Sequence, residues 1–283
     1  MRPVKTLEQL AADAAAGDRD AAEGIATAVQ DDVYFLALKM LWHPADAEDA
    51  TQEILVKVLT HLSTFRAESA FRTWVFRIAC NHLLTVRKSR MEHEPLSFEW
   101  MAEDLAQGIS DEPVDTISAA DQGILAEEIK IGCTQAMLLC LDRDHRLAFV
   151  LGDVFGLASQ DAAELAGIAR EAMRKRLQRA RERIRGFMQQ NCGLVDPQRR
   201  CRCERRIPFA LNAKRIDPAR PLFTGNGLSV RSTPRLLTAV KEMETLHDAA
   251  AAVFRSHPAP APPDSVLRRI RRIIHSGSFQ LLS

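Results

Sequence analysis

The sequence predicts an all-α protein: two small helical domains joined by an acidic linker and followed by a mostly helical extension. Ala, Leu and Arg are abundant, whereas a single Tyr and little β-branched alternation leave almost nothing to build a sheet from. Apolar residues recur at three- and four-residue spacing through most of the chain. Charge is strongly segregated. From Glu92 to Glu128 there are eleven Asp or Glu and no Lys or Arg, and from Arg170 to Arg206 thirteen Lys or Arg stand against four acids. A net charge of only +1 across 283 residues hides this asymmetry, which marks separate surfaces for separate partners. The boundaries follow: 1–91, a first helical domain; 92–123, an acidic flexible linker; 124–190, a second helical domain; 191–283, a Cys-containing extension.

Residues 7–41 read as two helices parted near Gly17-Asp18, with Leu7, Leu10 and Ala14 on one stripe and Ile25, Val29, Val33, Leu36 and Met40 on the next. Pro44 stops the second, and Asp46 is the expected N-cap of a third. In that third helix Ala47, Thr51, Ile54, Val58 and Leu62 share the buried face, so Asp49 and Glu53, with Gln52 at the edge, form an exposed carboxylate strip. A fourth helix carries Phe71, Trp74, Val75, Ile78 and Leu83 inward and Arg72, Arg77, Asn81, Arg87, Lys88 and Arg90 outward. The loop before it contains Phe65, Arg66, Glu68 and Ser69. These supply a stacking plane and short polar groups, the residue types that hold a splayed base. Phe65 fits a hydrophobic loop anchor equally well, and Trp74 fits the core.

AEDATQEI (47–54) and TFRAESAFRTWVFRIACN (64–81) resemble the promoter-opening domain of bacterial sigma-70 family factors, specifically the extracytoplasmic-function group. The resemblance implies that Asp49, Gln52 and Glu53 dock on core RNA polymerase. It also implies that Phe65, Arg66, Glu68, Ser69, Arg72, Arg77 and Asn81 capture the minus-ten promoter element. The acidic linker would then thread the polymerase's RNA path.

The second domain has the parts of a helix-turn-helix. A supporting helix is expected over Leu141 to Val154, a turn at Gly156, and a short helix capped by Ser159 and closed by Gly167. A recognition helix follows from Arg170, with Met173, Leu177, Ala180 and Ile184 inward. Arg170, Glu171, Arg174, Lys175 and Gln178 sit where base edges are read, and Arg179 and Arg181 flank them as phosphate contacts. DVFGLASQDAAELAGI and RLQRAR resemble the minus-thirty-five-reading domain of the same group. Glu171-Ala172-Met173 departs from the Gly-Thr-Val common there, which implies an unusual promoter preference.

In the extension, Cys192, Cys201 and Cys203 lie among basic residues that would favour thiolate, so Zn or Cu(I) at these three, with a distant His or no fourth ligand, or redox sensing, stands as an alternative to structural or incidental cysteines, whose spacing matches no common zinc finger. No cofactor is required otherwise. Amphipathic helices are expected over Thr238 to Phe254 and, capped by Asp264 after a Pro-rich connector, over Val266 to Ile274. Similar extensions in the sigma group imply a regulatory tail that replaces a separate inhibitor, and an anti-sigma factor is a further partner implied by the family.

The chain lacks paired carboxylates, a Ser-His-Asp order and any phosphate-cradling loop, so it is not read as an enzyme. No apolar run is long enough for a bilayer and no signal segment is evident, so no membrane partner and a cytoplasmic location are expected. Core polymerase and promoter DNA are the expected partners. The alternative is a helix-turn-helix repressor or activator that acts without polymerase and binds a palindromic operator as a dimer.

Overall fold

The computed structural model describes residues 5–86, 96–111, 117–224, 249–257 and 262–276. Local capping chemistry sets the first bundle. Thr6 and Gln9 form a reciprocal capping box at the start of α1 (Leu7–Ala15), and Asp18 accepts from Asp20 and Ala21 to open α2 (Arg19–Leu41). α3 (Pro44–Thr60) starts at Pro44 itself, so Pro44 opens this helix as well as ending the one before. His43 is its N-cap, accepting from the Ala45 amide at 3.2 Å, and Pro44 takes the first-turn position that needs no amide hydrogen. Asp46 is therefore a first-turn acid rather than the cap. α4 (Phe71–Thr85) follows a 3-10 turn at Leu62–Thr64. Ala47, Thr51, Ile54, Val58, Leu62, Phe71, Val75 and Leu83 are all buried, as their spacing requires.

The acidic segment departs from a solvated linker. Ser97 caps a helix, α5 (Phe98–Gln107), whose Met101 and Leu105 are buried. Phe98 stacks on Phe187 at 5.2 Å beneath the Arg183 guanidinium. Few apolar residues suffice here because they recur at helical spacing and meet a ready partner helix.

α6 (Ala119–Leu139) and α7 (Arg143–Phe149) lead into the second domain. The supporting helix ends in a π turn, Val150–Val154, instead of running straight to Val154. A Cβ at Gly152 would lie 2.6 Å from Leu177 Cδ2, so the bare backbone lets this turn press against the recognition helix. α8 (Ser159–Ala166) places Ser159 as its first residue, with Ala158 at the cap and no side-chain capping bond. Gly167 closes it at φ 64°, as expected. α9 (Arg170–Asn191) buries Met173, Leu177, Ala180 and Ile184.

The two domains share one apolar core. Phe155, fully buried, meets Phe35 of α2 at 5.4 Å and Phe76 of α4 at 6.2 Å, and α4 packs on α8. The extension adds α10 (Ile207–Asn212), α11 (Ala249–Arg255) and α12 (Asp264–His275). Of the helix expected over Thr238 to Phe254, the part before 249 lies outside the described residues, as do Arg87, Lys88 and Arg90. α12 has no side-chain capping bond from Asp264, which is its first residue. No helix among the described residues is long and apolar enough to cross a membrane.

Candidate protein and nucleic-acid interfaces

Three surfaces and one thiol cavity follow from this framework. The first is the outer side of α3. Burial of the Ala47, Thr51, Ile54 and Val58 stripe turns Asp49 and Glu53 outward and leaves Gln52 half-buried. Glu53 lies 3.4 Å from His82 Nε2, while Lys57 Nζ sits 2.7 Å from His82 Nδ1. Burial, followed by the Lys57 charge, holds the His82 imidazole below its ordinary pKa, so it accepts from Lys57 as a neutral ring. α12 also touches this strip: Arg269 donates to Gln52 at 3.1 Å and lies 3.7 Å from Asp49.

The second surface is the 61–70 loop with α4. Phe65 packs against Phe71 at 5.1 Å and Trp74 at 5.6 Å, so its ring anchors the loop. Arg66 and Glu68 are exposed around Ala67, whose φ of 57° holds the tip in the left-handed region that a Cβ disfavours. Ser69 is half-buried beside them, and Asn81 is exposed on α4. Arg72, expected to face DNA, is half-buried and engaged within the fold. It pairs with buried Asp32 and donates to the Ala28 carbonyl, tying α4 to α2. Arg77 is exposed but reaches Glu164 of α8 at 3.1 Å.

The third surface is α9. Arg170, Glu171, Arg174, Lys175, Gln178 and Arg179 are exposed along one side, with Arg174–Glu171 and Gln178–Glu182 pairs along the same helix. Arg181, expected as a phosphate contact, also makes a two-pronged ion pair with Asp153, which is 1% exposed, and so ties α9 to the π turn while 41% of its side chain stays exposed.

The thiols behave differently from the sequence expectation. Cys192 and Cys201 face each other across a single parallel β-bridge, and Cys133 of α6, outside the expected trio, joins them and Cys203 around a cavity of about 480 Å³. Spacing could not have found it, because Cys133 is 59 residues before Cys192. At Cys133, Cys201 and Cys203 burial outweighs the nearby basic residues. Burial, reinforced by the neighbouring sulfurs, pushes Cys203 up to about 12 and raises Cys201 and Cys133 as well. Among the described residues no three His, Cys, Asp or Glu side chains are disposed to hold a metal ion.

Comparison with known proteins agrees with the surfaces. Residues 25–92, which hold the α3 strip, the loop and α4, match the model of sigma-70 region 2; residues 131–184, from α6 to the middle of α9, match sigma-70 region 4. The chain is 30% identical over 168 residues to the RNA polymerase sigma-H factor of Pseudomonas aeruginosa, covering 59% of this chain and 86% of that protein. It is 32% identical to the extracytoplasmic-function sigma-E factor of Haemophilus influenzae, over 51% of this chain and 75% of that one. With SigW of Bacillus subtilis the identity is 26%, over 60% and 89%.

Proposed function

We infer the working role of each surface from one premise: the chain belongs to the sigma-70 family of RNA polymerase sigma factors, in its extracytoplasmic-function group. It binds core RNA polymerase, recognises the minus-ten and minus-thirty-five promoter elements and promotes transcription initiation. Asp49, Gln52 and Glu53 dock on core polymerase. Arg66, Glu68 and Ser69 hold a base extruded from the minus-ten element, with Phe65 fixing the loop from below, and Asn81 and Arg77 follow the separated strand. Arg170, Glu171, Arg174, Lys175 and Gln178 read minus-thirty-five base edges in the major groove, and Arg179 holds phosphate. Glu171 accepts from a cytosine amine. The chain carries out no bond-making step and needs no cofactor; polymerase does the chemistry, in the cytoplasm where both meet DNA.

The observation that carries this reading is the contrast along α9: a buried apolar stripe opposite six exposed polar side chains that no other element covers among the described residues. The two domains must also separate. α4 touches α8 here, whereas elements centred 25 base pairs apart lie about 85 Å apart along B-DNA at 3.4 Å per pair. Polymerase is the body that fixes that spacing, and alone the chain binds promoters poorly.

Run-off transcription with core polymerase tests this. Lys175→Ala is expected to lower open-complex formation and reduce the salt slope of promoter binding by about one, because one phosphate- or base-directed cation is lost. Asp49→Arg with Glu53→Arg is expected to remove polymerase association and leave the fold intact. Tight, symmetric operator binding by a dimer of the chain alone would instead favour a polymerase-independent regulator.

A further inference from the structure

The α3 strip already has an occupant. α12 is a strongly one-sided helix: Val266, Ile270 and Ile274 are buried, while Arg268, Arg269, Arg271 and Arg272 face outward. It lies across α2 and α3. Ser265 donates to Glu48 and Arg269 to Gln52, Arg269 faces Asp49, and Arg271 and His275 reach Glu23 of α2 at 2.5 and 3.6 Å. A basic helix thus neutralises the same acidic face that polymerase requires.

We propose that α12 is a tethered cover for the polymerase-docking face, displaced when core polymerase binds. The proposal rests on the assignment of Asp49, Gln52 and Glu53 to polymerase docking. Its construction fits a removable part. Three aliphatic side chains give it an apolar grip, but its ion pairs are solvent-exposed, and exposed pairs contribute little and weaken with salt. Its neighbour α11 is fixed far more firmly. Phe254 is fully buried against Phe149 at 5.1 Å, Arg255 donates to the Asp153 carbonyl at 2.6 Å, and His257 sits between Lys39 and Thr134. The sequence between them, PAPAPP (258–263), is short and proline-rich. A lifted α12 therefore stays near the face at high effective concentration and re-covers it whenever polymerase leaves. Cover and polymerase compete for one surface, so the tail sets the apparent affinity of the factor for core polymerase.

The test is a titration of labelled full-length chain with core polymerase. Ile270→Asp removes the apolar grip and is expected to tighten apparent binding about tenfold. Arg269→Glu, a surface change that cannot unfold the helix core, is expected to tighten it about two- to fivefold. Amide exchange in α3 should rise in both variants, and higher salt should narrow the gap between wild type and Arg269→Glu. Unchanged or weaker binding in both variants, with α3 amides deprotected, overturns the cover. Asp49→Arg placed in the Ile270→Asp chain separates the two ideas. If it abolishes binding while Ile270→Asp alone gained nothing, the docking face stands and the cover falls; if it has no effect, the docking assignment itself falls and takes the cover with it.

Discussion

α4 and α9 are written in nearly the same alphabet, each an apolar stripe backed by arginines, yet they use their cations in different ways. α9 keeps Arg170, Arg174, Lys175 and Arg179 in solvent and commits Arg176 to Asp144, Arg181 to Asp153 and Arg183 to the Phe98 ring. α4 ties Arg72 to Asp32 and leans Arg77 on Glu164 of the other domain. A basic helix in a sequence says that charge is available; which charges are free depends on whether a carboxylate from elsewhere in the fold has reached them first. On the proposed assignment α9 meets duplex with its cations already exposed, whereas α4 meets DNA only after the second domain moves away from Arg77.

The strongest way to break that contrast is to remove what holds the domains together. Phe155 is buried between Phe35 and Phe76, so Phe155→Ala is expected to lower stability by about 3–5 kcal/mol, the usual cost of emptying a buried aromatic site. A thermal melt should show it as a large fall in midpoint, with the α4–α8 contact loosened first. A fall no greater than that of an exposed phenylalanine would mean the domains do not share a core. Next in size is Arg72→Ala, which removes the Arg72 charge beside Asp32, whose side chain is only 7% exposed, and is expected to lower stability by about 2–4 kcal/mol. The comparison sharpens when Lys175→Ala is melted beside it: stability should be unchanged there, since the site is exposed and unpaired in the fold.

A smaller effect comes from pH, through the attachment of the extension. His257 lies 3.1 Å from Lys39 Nζ and 3.3 Å from the Thr134 hydroxyl, and burial followed by the charges of Lys39 and Lys130 pushes its pKa down to about 2. Burial likewise lowers Lys39 to about 7. Both folded values lie below the unfolded ones, so the unfolded chain binds more protons and stability rises with pH across each window. For His257 the attachment is at full strength above about 6.5 and weakens as pH falls towards 2; for Lys39 the loss occurs between about 10.5 and 7 and is complete below that. Melting midpoints should therefore drop on acidification from pH 7 to 5 at up to about 1.4 kcal/mol per pH unit from His257. His257→Gln should flatten this part of the curve. A wild-type slope unchanged by that substitution would place the acid sensitivity elsewhere, among the carboxylates.

Helical spacing made the cores legible before any coordinates. The stripes through α2, α3 and α9 are buried residue for residue, and Gly167 closes α8 in the left-handed region its position demanded. What spacing cannot carry is partnership across the fold. Asp32 for Arg72, Asp153 for Arg181 and Cys133 for the three later thiols are each supplied by a different element. The acidic segment misled for a related reason. Its composition is that of a solvated linker, but Phe98, Met101 and Leu105 recur on one face, and Asp104 is claimed by Arg215 and Arg206 of the extension. Burial alone would raise the Asp104 pKa; the hydrogen bonds and charges of those two arginines hold it below the ordinary carboxylate value. Negative charge that reads as flexible in isolation is here an attachment point for the extension: Arg206 and Arg215 pair with Asp104, and Arg200 and Arg205 with Asp111.

The weakest link between α4 and α9's domain is the Arg77–Glu164 pair, and it sharpens the comparison most finely. Its side chains are 45% and 43% exposed, so its coupling energy in a double-mutant cycle is expected to be about 0.2–1 kcal/mol and to shrink with added salt. Stability therefore barely registers it, but function should. Glu164→Ala frees Arg77 without touching α4, so promoter opening with core polymerase is expected to hold steady or rise slightly. Arg77→Ala removes the same pair and also the cation proposed to follow the melted strand, so opening should fall. If the two substitutions change opening alike, Arg77 serves only to join the domains, and α4's DNA-directed charge would have to come from other residues of that helix and its loop.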